Sequence, residues 1–76
     1  MKKNEEYYTS VVSEKLAPYY DEKKHGSPDN FIDIISESVK RTIDYYEANF
    51  DFDDDDFDNE IFESDLLSDA KNALRW

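Results

Sequence analysis

The chain has 76 residues, with 20 Asp and Glu against 9 Lys and Arg, a net charge of −11, 38% hydrophobic residues and no cysteine. A chain this short buries only about 60% of its unfolded surface, which allows one small core and excludes a second domain or two packed sheets. Disulfides and thiolate metal sites are excluded, and the charge opposes direct binding to nucleic acid or to an anionic membrane.

The charge is uneven along the chain. Residues 1–26 hold five bases and five acids, residues 27–50 five acids and two bases, and residues 51–76 ten acids and two bases. Between Arg41 and Lys71 there are twelve acids and no base. A neutral amino-terminal region therefore precedes a strongly anionic carboxy-terminal one. No apolar run follows Met1-Lys2-Lys3, so neither a signal peptide nor a membrane span is expected. The expected location is the cytoplasm of a bacterial host.

In the first region Tyr7, Tyr8, Val11, Val12, Leu16, Tyr19 and Tyr20 recur at the spacing of an amphipathic helix. Asn4 is suited to cap it, with Glu5 and Glu6 in the first turn, where the helix dipole favours anions. Pro18 disfavours helical geometry at Ala17 and predicts a kink or break. Lys23, Lys24 and His25 before Gly26, the only glycine, form a helix-end signature. His25, the only histidine, is expected to complement the terminal carbonyls of that helix.

Ser27-Pro28-Asp29 is a helix start, with serine as cap and proline in the first position. Phe31, Ile35, Val39, Ile43 or Thr42, Tyr46 and Phe50 then keep a spacing of three or four, which predicts a central helix over 28–50. Ile32, Ile34 and Tyr45 widen its stripe. The adjacent tyrosine pairs at 7–8, 19–20 and 45–46 should each supply one buried and one edge ring, because neighbours on a helix point about 100° apart.

The aspartate run at 51–58 is a poor helix interior and suits a linker and a first turn. Phe57 and Ile61 would share a helical face with Phe62 beside them. Leu66 and Leu67 fall out of step with that face, so a break is expected near Ser64, which would cap a last helix using Leu66, Leu67, Ala70 and Leu74. No strand signal is present. The fold expected is an all-α single domain of three to four helices: a neutral region 1–26, a central helix 28–50 and an acidic helical region 51–76.

Catalysis has little to work with. There is no cysteine, no glycine-rich phosphate loop and one histidine at a helix end, and solvated carboxylates lack the contrasting environments that acid/base pairs need. No catalytic residue and no cofactor are expected. A calcium loop beginning at Asp54 would offer Asp54, Asp56 and Asp58, with Asn59 at its sixth position and Asp65 at its twelfth. It lacks the glycine and the closing glutamate, so no metal ligand is assigned.

Two readings of the acids remain. In the first, carboxylates substitute for phosphates. On a helix over 53–63, Asp53, Asp56, Glu60 and Glu63 would line one face at spacings of three and four, and a spacing of four rises about 6 Å, comparable with the phosphate repeat of a nucleic-acid strand. Like charges at this spacing cost about 0.2–0.5 kcal/mol each, more than solubility alone would justify in a small domain. In the second, Phe52, Phe57, Ile61, Phe62, Leu66 and Leu67 alternate with acids as in a disordered interaction segment of transcriptional or adaptor type. A solvated acidic face is the plain alternative.

In size, charge and helicity the chain resembles the small acidic inhibitors carried by phages and mobile elements, including anti-CRISPR and anti-restriction proteins that mimic DNA. It is equally similar to the acidic immunity proteins that neutralise basic nuclease toxins. The resemblance implies a partner that is a basic nucleic-acid-binding protein, a nuclease or a CRISPR or restriction effector, blocked without chemistry. The carboxylates expected to bind it are Asp53, Asp54, Asp55, Asp56, Asp58, Glu60, Glu63, Asp65 and Asp69. Phe52, Phe57 and Trp76 are the expected apolar anchors. Pairing of two copies through exposed tyrosines is a further expectation.

Overall fold

The computed structural model describes residues 4–74. Helix α1 covers Glu5–Leu16, a 3-10 turn Ala17–Tyr19, α2 Glu22–His25, α3 Pro28–Asn49 and α4 Asn59–Ala73, and there is no strand among the described residues. The protein is an all-α bundle, as its sequence leads one to expect.

Each helix begins where a short polar side chain replaces the missing backbone partners. Asn4 Oδ1 accepts the Tyr7 N–H at 3.0 Å, Asp21 Oδ1 the Lys23 N–H at 2.9 Å, and Ser27 Oγ the Asn30 N–H at 3.2 Å. Pro18 ends α1 through the 3-10 turn, after which Tyr20 leaves in an extended conformation (φ −59°, ψ 130°). Gly26 then turns the chain at φ 76°, ψ −139°, a region that residues with a Cβ rarely enter. A Cβ there would meet nothing closer than 3.5 Å, so backbone conformation and not space demands the glycine.

The core forms around α3. Phe31, Ile35, Val39, Ile43 and Tyr46 are buried, joined by the small polar Ser38 and Thr42. Val12 and Leu16 of α1 cover one side of this stripe, and Phe62, Leu66, Ala70 and Leu74 cover the other. The helix stops one residue short of the expected range, and the buried stripe ends at Tyr46. Phe50 is 52% exposed, because the backbone there is already extended (φ −137°, ψ 161°) and carries the ring off the helical face.

The acidic region departs further from expectation. Residues 51–58 are successive turns and not a helix, and α4 then runs unbroken through Ser64. Its cap is Asp58, whose Oδ1 accepts the N–H of Glu60 at 2.9 Å and of Ile61 at 3.3 Å. The break expected at Ser64 came from taking helical phase from Ile61, which is 56% exposed. The buried residue is Phe62, and Phe62, Leu66, Ala70 and Leu74 follow one another at intervals of four, which keeps one face continuous.

Ring contacts give the helix directions. Tyr8 near the start of α1 meets Phe62 near the start of α4 at 5.3 Å, and Tyr46 near the end of α3 meets the same ring at 5.0 Å. At the opposite end His25 reaches the Leu74 carbonyl just past α4. So α1 and α4 run the same way, and α3 runs against both. The outcome is a rod of 42 × 17 × 16 Å with a radius of gyration of 12.7 Å.

Candidate functional site

The antiparallel arrangement converts charge asymmetry along the chain into charge asymmetry along the rod. Glu5 and Glu6 open α1, Asp44 and Glu47 lie in the last turns of α3, and Asp51, Asp53, Asp54, Asp55, Asp56, Asp58 and Glu60 occupy the connection into α4. All these acids gather at one end, with no Lys or Arg among the described residues there. Lys15, Lys23, Lys24 and Lys71 belong to the other half, interspersed with acids, and Lys40 and Arg41 lie between the two, in the turn of α3 before Asp44. The capped N-termini of α1 and α4 point toward the acidic end, where their dipoles favour anions, while the C-terminus of α3 at the same end acts against them.

The aspartates build the loop that displays them. Asp51 Oδ1 accepts the Asp53 N–H at 2.9 Å, and Asp54 Oδ1 accepts the Asp56 N–H at the same distance. The Asp54 N–H bonds to the Asp51 carbonyl at 3.1 Å, and the Phe57 N–H to the Asp54 carbonyl at 3.0 Å. Side-chain bonds two residues forward compete with helix formation, and here they win, producing two linked turns ahead of the Asp58 cap. The helical face expected from Asp53 and Asp56 through Glu60 and Glu63 is therefore not formed. Asp53, Asp54, Asp55, Asp56, Asp58 and Glu60 are nevertheless exposed together around the loop and first turn of α4.

Phe52 and Phe57 tie this loop to the core. They meet each other at 5.0 Å, and Phe52 lies 5.4 Å and Phe57 5.9 Å from Phe62. Both are half-buried. They anchor the loop internally, and the part of each ring that stays accessible lies within the charged loop where apolar anchoring was expected of them. The same packing argues against a segment whose aromatics stay free for a partner. Trp76 lies outside the described residues.

The remaining acids divide. Asp65 accepts the Tyr46 hydroxyl and Asp69 Oδ2 lies 2.6 Å from Thr42 Oγ1, so both join α4 to α3. Thr42 Oγ1 is also 3.1 Å from the Ser38 carbonyl and has one proton for the two acceptors. Glu63 is half-buried beside Tyr8, on the flank facing α1. Burial, followed by the bond and charge of Asp65, pushes Tyr46 up to about 12. Burial first and Glu63 second raise Tyr8. Tyr20 is likewise raised, by burial and then by Glu22 and Asp21.

His25 was missed as a structural centre. Its ring is buried, its Nδ1 accepts the Asp21 N–H at 3.0 Å, and its Nε2 lies 3.2 Å from the Leu74 carbonyl. These partners assign the proton to Nε2. The histidine thus serves the end of α4, 49 residues away, where its own helix end was expected. The helix-end pattern in the sequence pointed to a carbonyl partner, but nothing local could identify which helix supplied it.

The calcium loop does not survive the geometry, since Asn59 through Asp65 is helical and Asp65 bonds Tyr46. Among the described residues no group of three His, Asp or Glu is placed to hold a metal ion. A groove of about 560 Å³ between α1 and α3 is lined by Glu5, Glu6, Thr9, Ser10, Ser13, Ile32 and Ser36. No helix among the described residues is long and apolar enough to cross a membrane. Compared with known proteins, the chain matches no family model, no curated protein and no solved structure.

Proposed function

We propose that this chain is a non-catalytic inhibitor that occupies the basic nucleic-acid site of another protein with its acidic end. One observation carries the reading: the carboxylates of Asp53, Asp54, Asp55, Asp56, Asp58 and Glu60 are exposed together on a loop braced by its own turns and by two packed phenylalanines. Bracing lowers the ordering cost on binding, so attraction to Lys and Arg is retained as affinity. Clustering the acids at one end produces a directed field, which speeds encounter with a basic groove. Asp65 and Asp69 play supporting parts here, because their bonds to Tyr46 and Thr42 help hold α4 in place, and Glu63 lies on the flank beside Tyr8. A disordered acidic–aromatic segment is the weaker alternative, since its rings would have to leave the core.

The reading is tested by capture on the immobilised chain at graded salt, followed by a nucleic-acid-binding assay on the captured protein. The expected prey is basic, is released between about 0.1 and 0.5 M salt, and loses nucleic-acid binding in proportion to added chain. Capture that ignores salt, or prey that binds nucleic acid equally well with the chain attached, would overturn it.

A further inference from the structure

The exposed rings at the acidic end narrow the kind of basic site involved. Tyr7, Tyr45 and Phe50 are 59%, 60% and 52% exposed. Each has an exposed carboxylate as a direct neighbour in the chain: Glu6, Asp44 and Asp51 respectively. They also share one support. Tyr7 sits edge-on to Tyr8 at 5.0 Å, Tyr8 meets Phe62, and Phe62 meets Tyr46; Tyr45 and Phe50 rest on Tyr46 at 5.8 and 5.0 Å. A continuous run of ring contacts therefore joins all three to the core that braces the aspartate loop.

A duplex offers a protein phosphates on its outside while its base faces remain stacked within. A single strand offers phosphates and open base faces together. Sites that bind single strands accordingly combine Lys and Arg with aromatic side chains on which bases stack. From the pairing of ring with carboxylate at three places on one end, we infer that the partner's site is of the single-strand type: a basic groove carrying aromatic platforms. Tyr7, Tyr45 and Phe50 take the places of bases, and the carboxylates those of phosphates. This rests on the inhibitor reading and adds the class of groove. Charge complementarity favours the basic groove, because the acids at this end far outnumber the bases near it, Lys40 and Arg41, which lie one turn before Asp44 and Tyr45. The rings require stacking faces, since aromatic rings gain from offset or edge-to-face packing beyond their area.

Two synthetic peptides of equal length and charge test it against the full chain, one alternating lysine with serine and the other lysine with tryptophan. The lysine–tryptophan peptide is expected to bind more tightly, with the same salt slope for both. Serine at Tyr7, Tyr45 or Phe50 should lower that preference by about 2- to 10-fold per ring, while leaving the lysine–serine affinity unchanged. Circular dichroism confirms that each variant stays folded. Ile61→Ser removes an apolar side chain of similar exposure (56%) and should leave the preference intact. Equal binding of the two peptides, or an equal loss in Ile61→Ser, would overturn the single-strand assignment while leaving the inhibitor reading standing. Absence of salt-dependent binding to both peptides would overturn the inhibitor reading itself.

Discussion

Two buried side chains, His25 and Tyr46, show how single residues can join distant parts of a small bundle. Replacing His25 with Leu keeps an apolar volume but leaves the Asp21 N–H and the Leu74 carbonyl without the ring nitrogens. The expected cost is about 1–3 kcal/mol, read as a lower denaturant midpoint with an unchanged slope. Tyr46 makes a prediction about alkali. In the unfolded chain its hydroxyl ionises near 10.0, whereas in the fold it holds its proton to about 12. The unfolded state therefore gains from ionisation first. Stability from this group is complete below about pH 10 and is lost as pH rises toward about 12, with Tyr8 and Tyr20 acting in the same direction. Ultraviolet titration should show a late-ionising tyrosine that disappears in Tyr46→Phe. That variant should also lose about 1–2 kcal/mol at neutral pH with its bond to Asp65, and show a shallower alkaline fall in melting temperature.

At the scale of elements, α4 decides between two ways of organising the acidic region. Were the helix capped at Ser64, removing that hydroxyl would be costly and Asp58 would be dispensable. The observed cap reverses this. Asp58→Ala should cost about 0.5–2 kcal/mol, while Ser64→Ala, at an exposed interior position, should be neutral or slightly stabilising. Thermal melts of the two variants side by side distinguish the arrangements, and equal destabilisation would contradict the observed start of α4. The starts of α1 and α3 were legible because Asn4 and Ser27 act within three residues of themselves. The start of α4 was misplaced at Ser64 because helical phase was taken from Ile61, with which Leu66 and Leu67 fall out of step. Phase resolved it only once Phe62, and not Ile61, was seen to be buried.

For the whole molecule the governing quantity is the clustering of charge at one end of a narrow rod. Like charges held close in the fold spread apart when the chain unfolds, so screening should favour the folded state. Raising NaCl from about 0.01 to 1 M shortens the screening length from about 30 to 3 Å and should raise the melting temperature. A flat response would mean that helix dipoles and turn hydrogen bonds already offset the repulsion. The same clustering concerns the candidate site. That the acids belong together was legible from the absence of any base between Arg41 and Lys71. Their display on a braced loop was not, because it depends on where Phe52 and Phe57 pack.

The sequence by itself determined the all-α class, the caps of α1 and α3, the turn at Gly26, the core stripe of α3 and the acidic bias toward the carboxy terminus. These follow from effects reaching no more than about one helical turn, such as capping, φ restriction and apolar spacing. Only the tertiary structure decided the phase of α4, the bonds of His25, Asp65 and Asp69 across the bundle, and the gathering of Glu5, Glu6, Asp44 and Glu47 with the aspartate loop. Those depend on which faces meet, and a face is chosen by burial against partners distant in the chain, which local spacing alone does not specify.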